Sequence, residues 1–203
     1  MTSSLKQALG EAQEAINEVQ RRPAALRRTA ELQAKSGLQA ALLVEKAGWG
    51  SHAPLFLEIP RLAEAFRRAP GQALAQADLL AGGPGVPVAG RSEIGAVLDL
   101  AAEHPDNVLM PMAVHAAILH HEFFGQRSVA VALAVARAGA MSTGFDPRGL
   151  CVPEGYYTRD ITSYKALVSA PLGESEQWEK SCIEQVHAWK MGAGIALDLL
   201  SMS

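Results

Sequence analysis

The run His115 to Leu150, HAAILHHEFFGQRSVAVALAVARAGAMSTGFDPRGL, decides the fold. An apolar helical pattern starts near Val108, carries His115, and reaches a polar interruption at Glu122-Phe123-Phe124-Gly125-Gln126-Arg127-Ser128. A second helix, rich in Ala, Val and Leu, spans Ser128–Ser142 and closes at Gly144-Phe145-Asp146-Pro147. Its most apolar run, Val129 to Ala136, lies between Arg127 and Arg137 and is far short of the ~20 residues that cross a bilayer. It is expected to be a buried core helix, and the bend before it is where a reaction centre would sit.

Composition agrees with a helical centre. Of the 203 residues, 49% are hydrophobic but only 5% aromatic, and the excess is Ala and Leu. Those are strong helix formers, whereas strand formers are sparse, so the expected class is all-α, with residues 1–203 forming one domain. The net charge is −3, and the densest basic cluster is Arg21, Arg22, Arg27 and Arg28. A nucleic-acid reader concentrates more charge and adds exposed aromatics. That cluster therefore reads as a solvated helix face, and neither nucleic acid nor membrane is expected as a partner. Cys151 and Cys182 are two widely spaced cysteines, and the N-terminus opens directly into an amphipathic pattern. Free thiols in a reducing cytoplasm are the expectation.

Outward from the centre, Ser4-Leu5-Lys6-Gln7 has capping-box spacing ahead of a helix over 4–20, with Leu5, Leu9, Ala12, Ile16 and Val19 on one stripe. Pro23 suits the first turn of a second helix running to Lys46 through Leu26, Ala30, Ala34, Leu38, Ala41, Leu42 and Val44. Pro54 and Pro60 read as breakers in an irregular stretch, and Pro70-Gly71 separates two short helices. Ala81 to Gly90 holds four glycines and two prolines, which excludes helix and leaves a loop or small hairpin, either a flap over a site or a plain connector. Ser92 is expected to cap a helix through Ile94, Val97, Leu98 and Ala101. Asp146-Pro147 reads as a cap with proline at the first helical position, and Pro153-Glu154-Gly155 as a turn. Ile161, Tyr164, Leu167 and Val168 mark a further helix. The last runs from Ser175 to Leu200, with Trp178, Cys182, Val186 and Trp189 in a stripe that reads as core or as a homodimer interface.

The order of an apolar helix, a loop opened by Phe124-Gly125, and a helix ending in Gly144-Phe145-Asp146-Pro147-Arg148-Gly149-Leu150 with Val152-Pro153-Glu154 beyond resembles the Fic (Fic/Doc) family, in its actinobacterial-type branch. Val114-His115 and Arg137 fit the same pattern, and Gly82–Gly90 falls where the family carries a flap. The resemblance implies a helical bundle and, in active members, transfer of AMP to a protein hydroxyl through a motif HPFxxGNGRxxR. There a His acts as general base, glycine amides cradle the phosphates of ATP, and Mg²⁺ and arginines balance charge. In the register set by Asp146-Pro147, the His place falls on Glu122 and the Gly-Asn-Gly-Arg places on Arg127, Ser128, Val129 and Ala130. One residue earlier, His121 takes the base position, but Gln126, Arg127, Ser128 and Val129 replace the cradle.

The expectation is therefore a family frame with a degenerate motif, inactive in AMP transfer, needing no cofactor, and kept as a binding or regulatory partner of protein. The alternative is a divergent transferase, with ATP and Mg²⁺ or another phosphorylated small molecule as ligand. Its candidate residues are Glu122 or His121 as base and Gly125, Gln126, Arg127 and Ser128 as an anion site at the helix start. Against these, Glu122 reads as a solvated acid at a helix end, Arg127 as an ordinary surface arginine, and Phe123 and Phe124 as filling of a shrunken pocket. No metal site is expected: Gly125 occupies the fourth place after His121, and His115 and His120 are off a common face. His115 reads as a hydrogen-bonded core residue.

Overall fold

Five prolines open helices in this chain, whereas Pro105 follows the end of one, as a breaker should. The computed structural model describes residues 1–169, 171, 173 and 175–201. In order its helices are α1 (Ser3–Arg21), α2 (Pro23–Arg27), α3 (Thr29–Lys46), α4 (Ala53–Leu57), α5 (Ile59–Arg68), α6 (Pro70–Leu80), α7 (Arg91–Glu103), α8 (Met110–His121), α9 (Ser128–Ser142), α10 (Glu154–Tyr157), α11 (Ile161–Val168) and α12 (Glu176–Ser201). A single 3-10 turn, Gly125–Arg127, precedes α9. Pro23, Pro54, Pro60, Pro70 and Pro111 each sit in the first turn of a helix. There the missing N–H has no intrahelical partner to lose. Pro54 and Pro60 are thus starts of α4 and α5, not breaks in an irregular segment. Among the described residues there is no strand, and the protein is all-α.

Several local expectations are corrected. Helix α1 begins one residue before Ser4, so Thr2 is the cap: its hydroxyl accepts from the Leu5 amide at 3.4 Å. Gln7 reaches forward to Glu11 (3.0 Å) instead of closing a capping box. The single helix expected from Pro23 to Lys46 breaks at Arg28 (φ −125°, ψ 32°), where the Thr29 hydroxyl donates to the Ala25 carbonyl at 2.6 Å. The break re-phases the buried face. Leu32, Ala40, Ala41 and Val44 turn inward, whereas Leu26, Leu38 and Leu42 are about half exposed. Ser92 lies inside α7 and donates to Glu93, and the residue before that helix is Gly90, in the left-handed region. No helix starts at Pro147. The buried Asp146 carboxylate instead accepts from the Cys151 amide (3.0 Å) and from Gln20 (2.7 Å), fastening the loop to α1. The Pro153 turn is the start of the short α10. Ile94, Val97 and Ala101 of α7 and Tyr164 and Val168 of α11 are buried, and the Leu167 side chain lies outside the described residues.

Helix α9 is the central element. Every residue from Ser128 to Ala140 is buried, because α5 and α8 pack along it and α6 touches its start. One apolar cluster gathers around it from α3 to α8 and the Tyr157/Tyr164 region; a second joins α1, α12 and the Phe145–Cys151 loop, and Trp178 touches both. Trp189 is in that second core, edge-on to Phe145 at 5.7 Å, and not at an interface. Gly192 lets α12 meet the chain at Val152-Pro153. A Cβ there would stand 2.6 Å from the Pro153 nitrogen, and the Val152 amide donates to the Gly192 carbonyl at 3.1 Å. Among the described residues no helix is long and apolar enough to cross a membrane.

Candidate functional site

The bend between α8 and α9 is built from residues under different constraints. Glu122 ends α8 in the left-handed region (φ 48°), the one described non-glycine residue with positive φ. That turn throws Phe123 and Phe124 inward, where they are 0% and 1% exposed. Gly125 (φ 58°) then starts the 3-10 turn. The Arg127 amide donates to Phe124 O at 3.2 Å, and the Ser128 amide donates to Gly125 O. The Ser128 hydroxyl, itself buried, accepts from the Phe124 amide at 3.0 Å. The Arg127 and Ser128 amides and the Ser128 hydroxyl, expected to face a ligand, are thus bonded within the bend.

The glycine-rich loop covers this bend. The Val88 amide donates to Phe123 O at 2.7 Å, and Gly90 (φ +59°) lies so close to the Phe123 ring that a Cβ would be 2.5 Å from it. His121 stacks on Phe123, 5.2 Å between centroids and 7° from parallel. The loop is neither hairpin nor free connector. It is fastened by Asp78 of α6, whose fully buried carboxylate accepts from the Gly85 amide (2.9 Å) and from Arg127 Nε (2.7 Å). Arg127 is therefore no ordinary surface arginine; its charge is spent on a buried acid, and its Nη2 is buried without a hydrogen-bond partner.

The candidate bases are engaged by other groups. Glu122 is exposed and pairs with Lys165 at 3.2 Å. His121 is half-buried against Phe123, and Gln126 is exposed. His115 is a core residue, its Nε2 2.7 Å from the Tyr164 hydroxyl and its ring edge-on to Tyr157. Burial holds its pKa down at about 3, so it stays neutral. His120 and His121 meet edge-on at 4.8 Å while His115 lies in the core, and among the described residues no group of three or more His, Cys, Asp or Glu is arranged to hold a metal ion.

A second polar group lies beneath α9. Arg137 is 1% exposed, donates to Ser36 Oγ and to Gly149 O (3.0 Å), and stands 3.8 Å from the fully buried Glu154. Both Glu154 oxygens and the Nε and Nη1 of Arg137 are buried without hydrogen bonds. Burial raises the Glu154 carboxyl pKa, with Arg137 opposing it, and raises that of Asp146 for the same reason. Burial also pushes both thiols up, Cys182 to about 12, so neither is a nucleophile in the folded chain.

Asp78, Glu154 and the tyrosine cluster are the site-bearing residues that periodicity alone passes over. A lone acid among Ala73, Leu74, Ala77 and Leu79 was the available signal for Asp78. Fold and bend together define an all-α protein organised on a buried central helix with a covered helix junction. No family model matches the chain, and no curated protein or solved structure matches it.

Proposed function

We propose that this chain is a Fic-like helical frame whose AMP-transfer site has closed, and that it works as a binding or regulatory module for a protein partner. One observation carries the loss of chemistry: the amides of Arg127 and Ser128 already donate to the Phe124 and Gly125 carbonyls. A phosphate cradle at a helix start needs such amides free. Three further features support it. Phe123 fills the space under the glycine-rich loop, Val129 is a buried β-branched residue where the family motif has glycine, and Arg127 is neutralised by Asp78. Magnesium-bound ATP does not fit these residues.

Surface remains for the binding role. A groove of about 580 Å³ between α4, α5 and α6 is lined by Pro54, Leu57, Leu62, Leu79 and Leu80, with Leu57 and Leu79 41% and 57% exposed. Apolar surface of this kind, rimmed by Glu58 and Arg61, is a usual feature of interaction sites. Incubation of the full chain with labelled ATP, Mg²⁺ and cell lysate is expected to transfer no label; Glu122-dependent labelling would overturn the proposal. The divergent-transferase alternative requires a phosphorylated ligand at Arg127. Melting temperatures across nucleotides and phosphorylated metabolites are expected to stay flat, and a saturable rise abolished by Arg127→Ala would favour that alternative.

A further inference from the structure

Helix α3 carries two apolar faces. The inner one, with Leu32, Ala40, Ala41 and Val44, is buried in the core. The outer one is a row at every fourth position, Ala30, Ala34, Leu38 and Leu42, all exposed, with Leu38 and Leu42 at 47% and 50%. Single exposed leucines are ordinary, but four aligned apolar residues along about 18 Å of helix make a packing face. Leu57 of α4 borders it. The two helices meet at Gly37, where a Cβ would stand 3.5 Å from the Leu57 Cα.

The row has a direction: its N-terminal half is small and its C-terminal half large. A second α3 laid antiparallel, with a two-fold axis between Ala34 and Leu38, sets Leu38 of each copy on Ala34 of the other and Leu42 on Ala30. Each leucine then fills the dent an alanine leaves. Rows of this spacing run oblique to the helix axis, and two of them lie parallel when the helices cross at about 50°. A parallel pairing would set leucine on leucine and leave a void between alanines. The ends match in charge as the middle matches in size. Glu45 and Lys46 stand at one end of the row and Arg27 and Glu31 at the other, all exposed. The two-fold axis brings these sets together, one acid and one base in each, so that Glu45 faces Arg27 and Lys46 faces Glu31.

We infer that the outer face of α3 is a homodimer contact, occupied by a second copy of this chain packed antiparallel through Ala30, Ala34, Leu38 and Leu42. One helix pair flanked by α4 is at the small end of specific interfaces, so the dimer should form in the micromolar range. None of the four residues belongs to the bend, so this contact and the loss of AMP transfer are tested separately.

Sedimentation velocity of the full chain, from low micromolar to submillimolar concentration, is the test. A monomer–dimer equilibrium is expected. Leu38→Lys should weaken it by about thirtyfold or more, because each dimer loses two leucine contacts. Its melting temperature, measured where both chains are monomeric, should be unchanged, since the side chain is exposed there. Ala34→Leu adds apolar surface yet should also weaken the dimer, because two leucines then compete for one place. Combining Ala34→Leu with Leu38→Ala gives each leucine an alanine again and should recover the dimer to within about threefold. Leu79→Ser, in the groove between α4, α5 and α6, should leave it unaltered. A chain monomeric throughout, a dimer indifferent to Leu38→Lys, a tighter one in Ala34→Leu, or one abolished by Leu79→Ser would overturn the inference.

Discussion

Removing Arg137 should cost far more than removing it together with Glu154. Arg137→Met takes the cation from beside a fully buried carboxylate 3.8 Å away and strips donors from Gly149 O and Ser36. Breaking one side of a buried pair costs about 3–5 kcal/mol. Glu154→Leu strands the guanidinium instead and should cost a similar amount, although Gly149 and Ser36 keep their donors. If the two losses were independent, the double variant would lose about 6–10 kcal/mol, which is most or all of a domain's stability. With neither charge present, only the Gly149 carbonyl and the Ser36 hydroxyl lose a partner, and the expected loss is about 1–2 kcal/mol. The double-mutant cycle should therefore show a coupling of about 4 kcal/mol or more, read from urea unfolding at neutral pH. The pH dependence has a definite sign. Burial raises the Glu154 carboxyl pKa in the folded chain, so the penalty in Arg137→Met is greatest at high pH and fades as pH falls toward the ordinary value of 4.5. Additive losses, or a penalty in Arg137→Met that grows on acidification, would refute the reasoning.

His115 gives the opposite pH sign, because its folded pKa of about 3 lies below the ordinary 6.5. Below 6.5 the unfolded chain takes up a proton that the folded chain refuses, so this contribution to stability is lost as pH falls toward 3. The destabilisation caused by His115→Gln should accordingly shrink by about 1.4 kcal/mol between about pH 7.5 and about pH 5.5; an unchanged difference in urea midpoints would contradict it. Glu122→Gly should stabilise by up to about 1 kcal/mol, since glycine takes φ 48° without strain and the exposed Lys165 pair adds little. A lower melting temperature would count against that. Gly192→Ala should destabilise by about 1–3 kcal/mol, because its Cβ meets backbone and not a movable side chain, and an unshifted unfolding curve would be inconsistent with it.

What could be read from the residues was the part governed by repetition. Val129 to Ala136 announces a buried helix because no polar residue interrupts it, and Ser128–Ser142 is its observed extent. The α1 stripe through Leu5, Ala12, Ile16 and Val19 is buried as its spacing requires, with Leu9 at the margin. Phase was lost where a single backbone break intervened: Arg28 turns Leu38 and Leu42 outward, and nothing in the apolar pattern marks that residue. Prolines mislead for a related reason. The same residue both stops and starts helices, and only the neighbouring packing decides which. The bend was located correctly, but the fate of Arg127 depended on Asp78, 49 residues earlier. A pairing of that range leaves no periodic trace.

The docking of α1 on α12 also has a kinetic side. Thr2 pairs with Glu179 and Glu11 with Lys190, partners separated by 177 and 179 positions. Contacts so distant along the chain demand closure of a very large loop, which disfavours their early formation. During synthesis, Ile16 and Val19 must wait with their apolar surfaces uncovered until Trp189 and Ala193 have emerged.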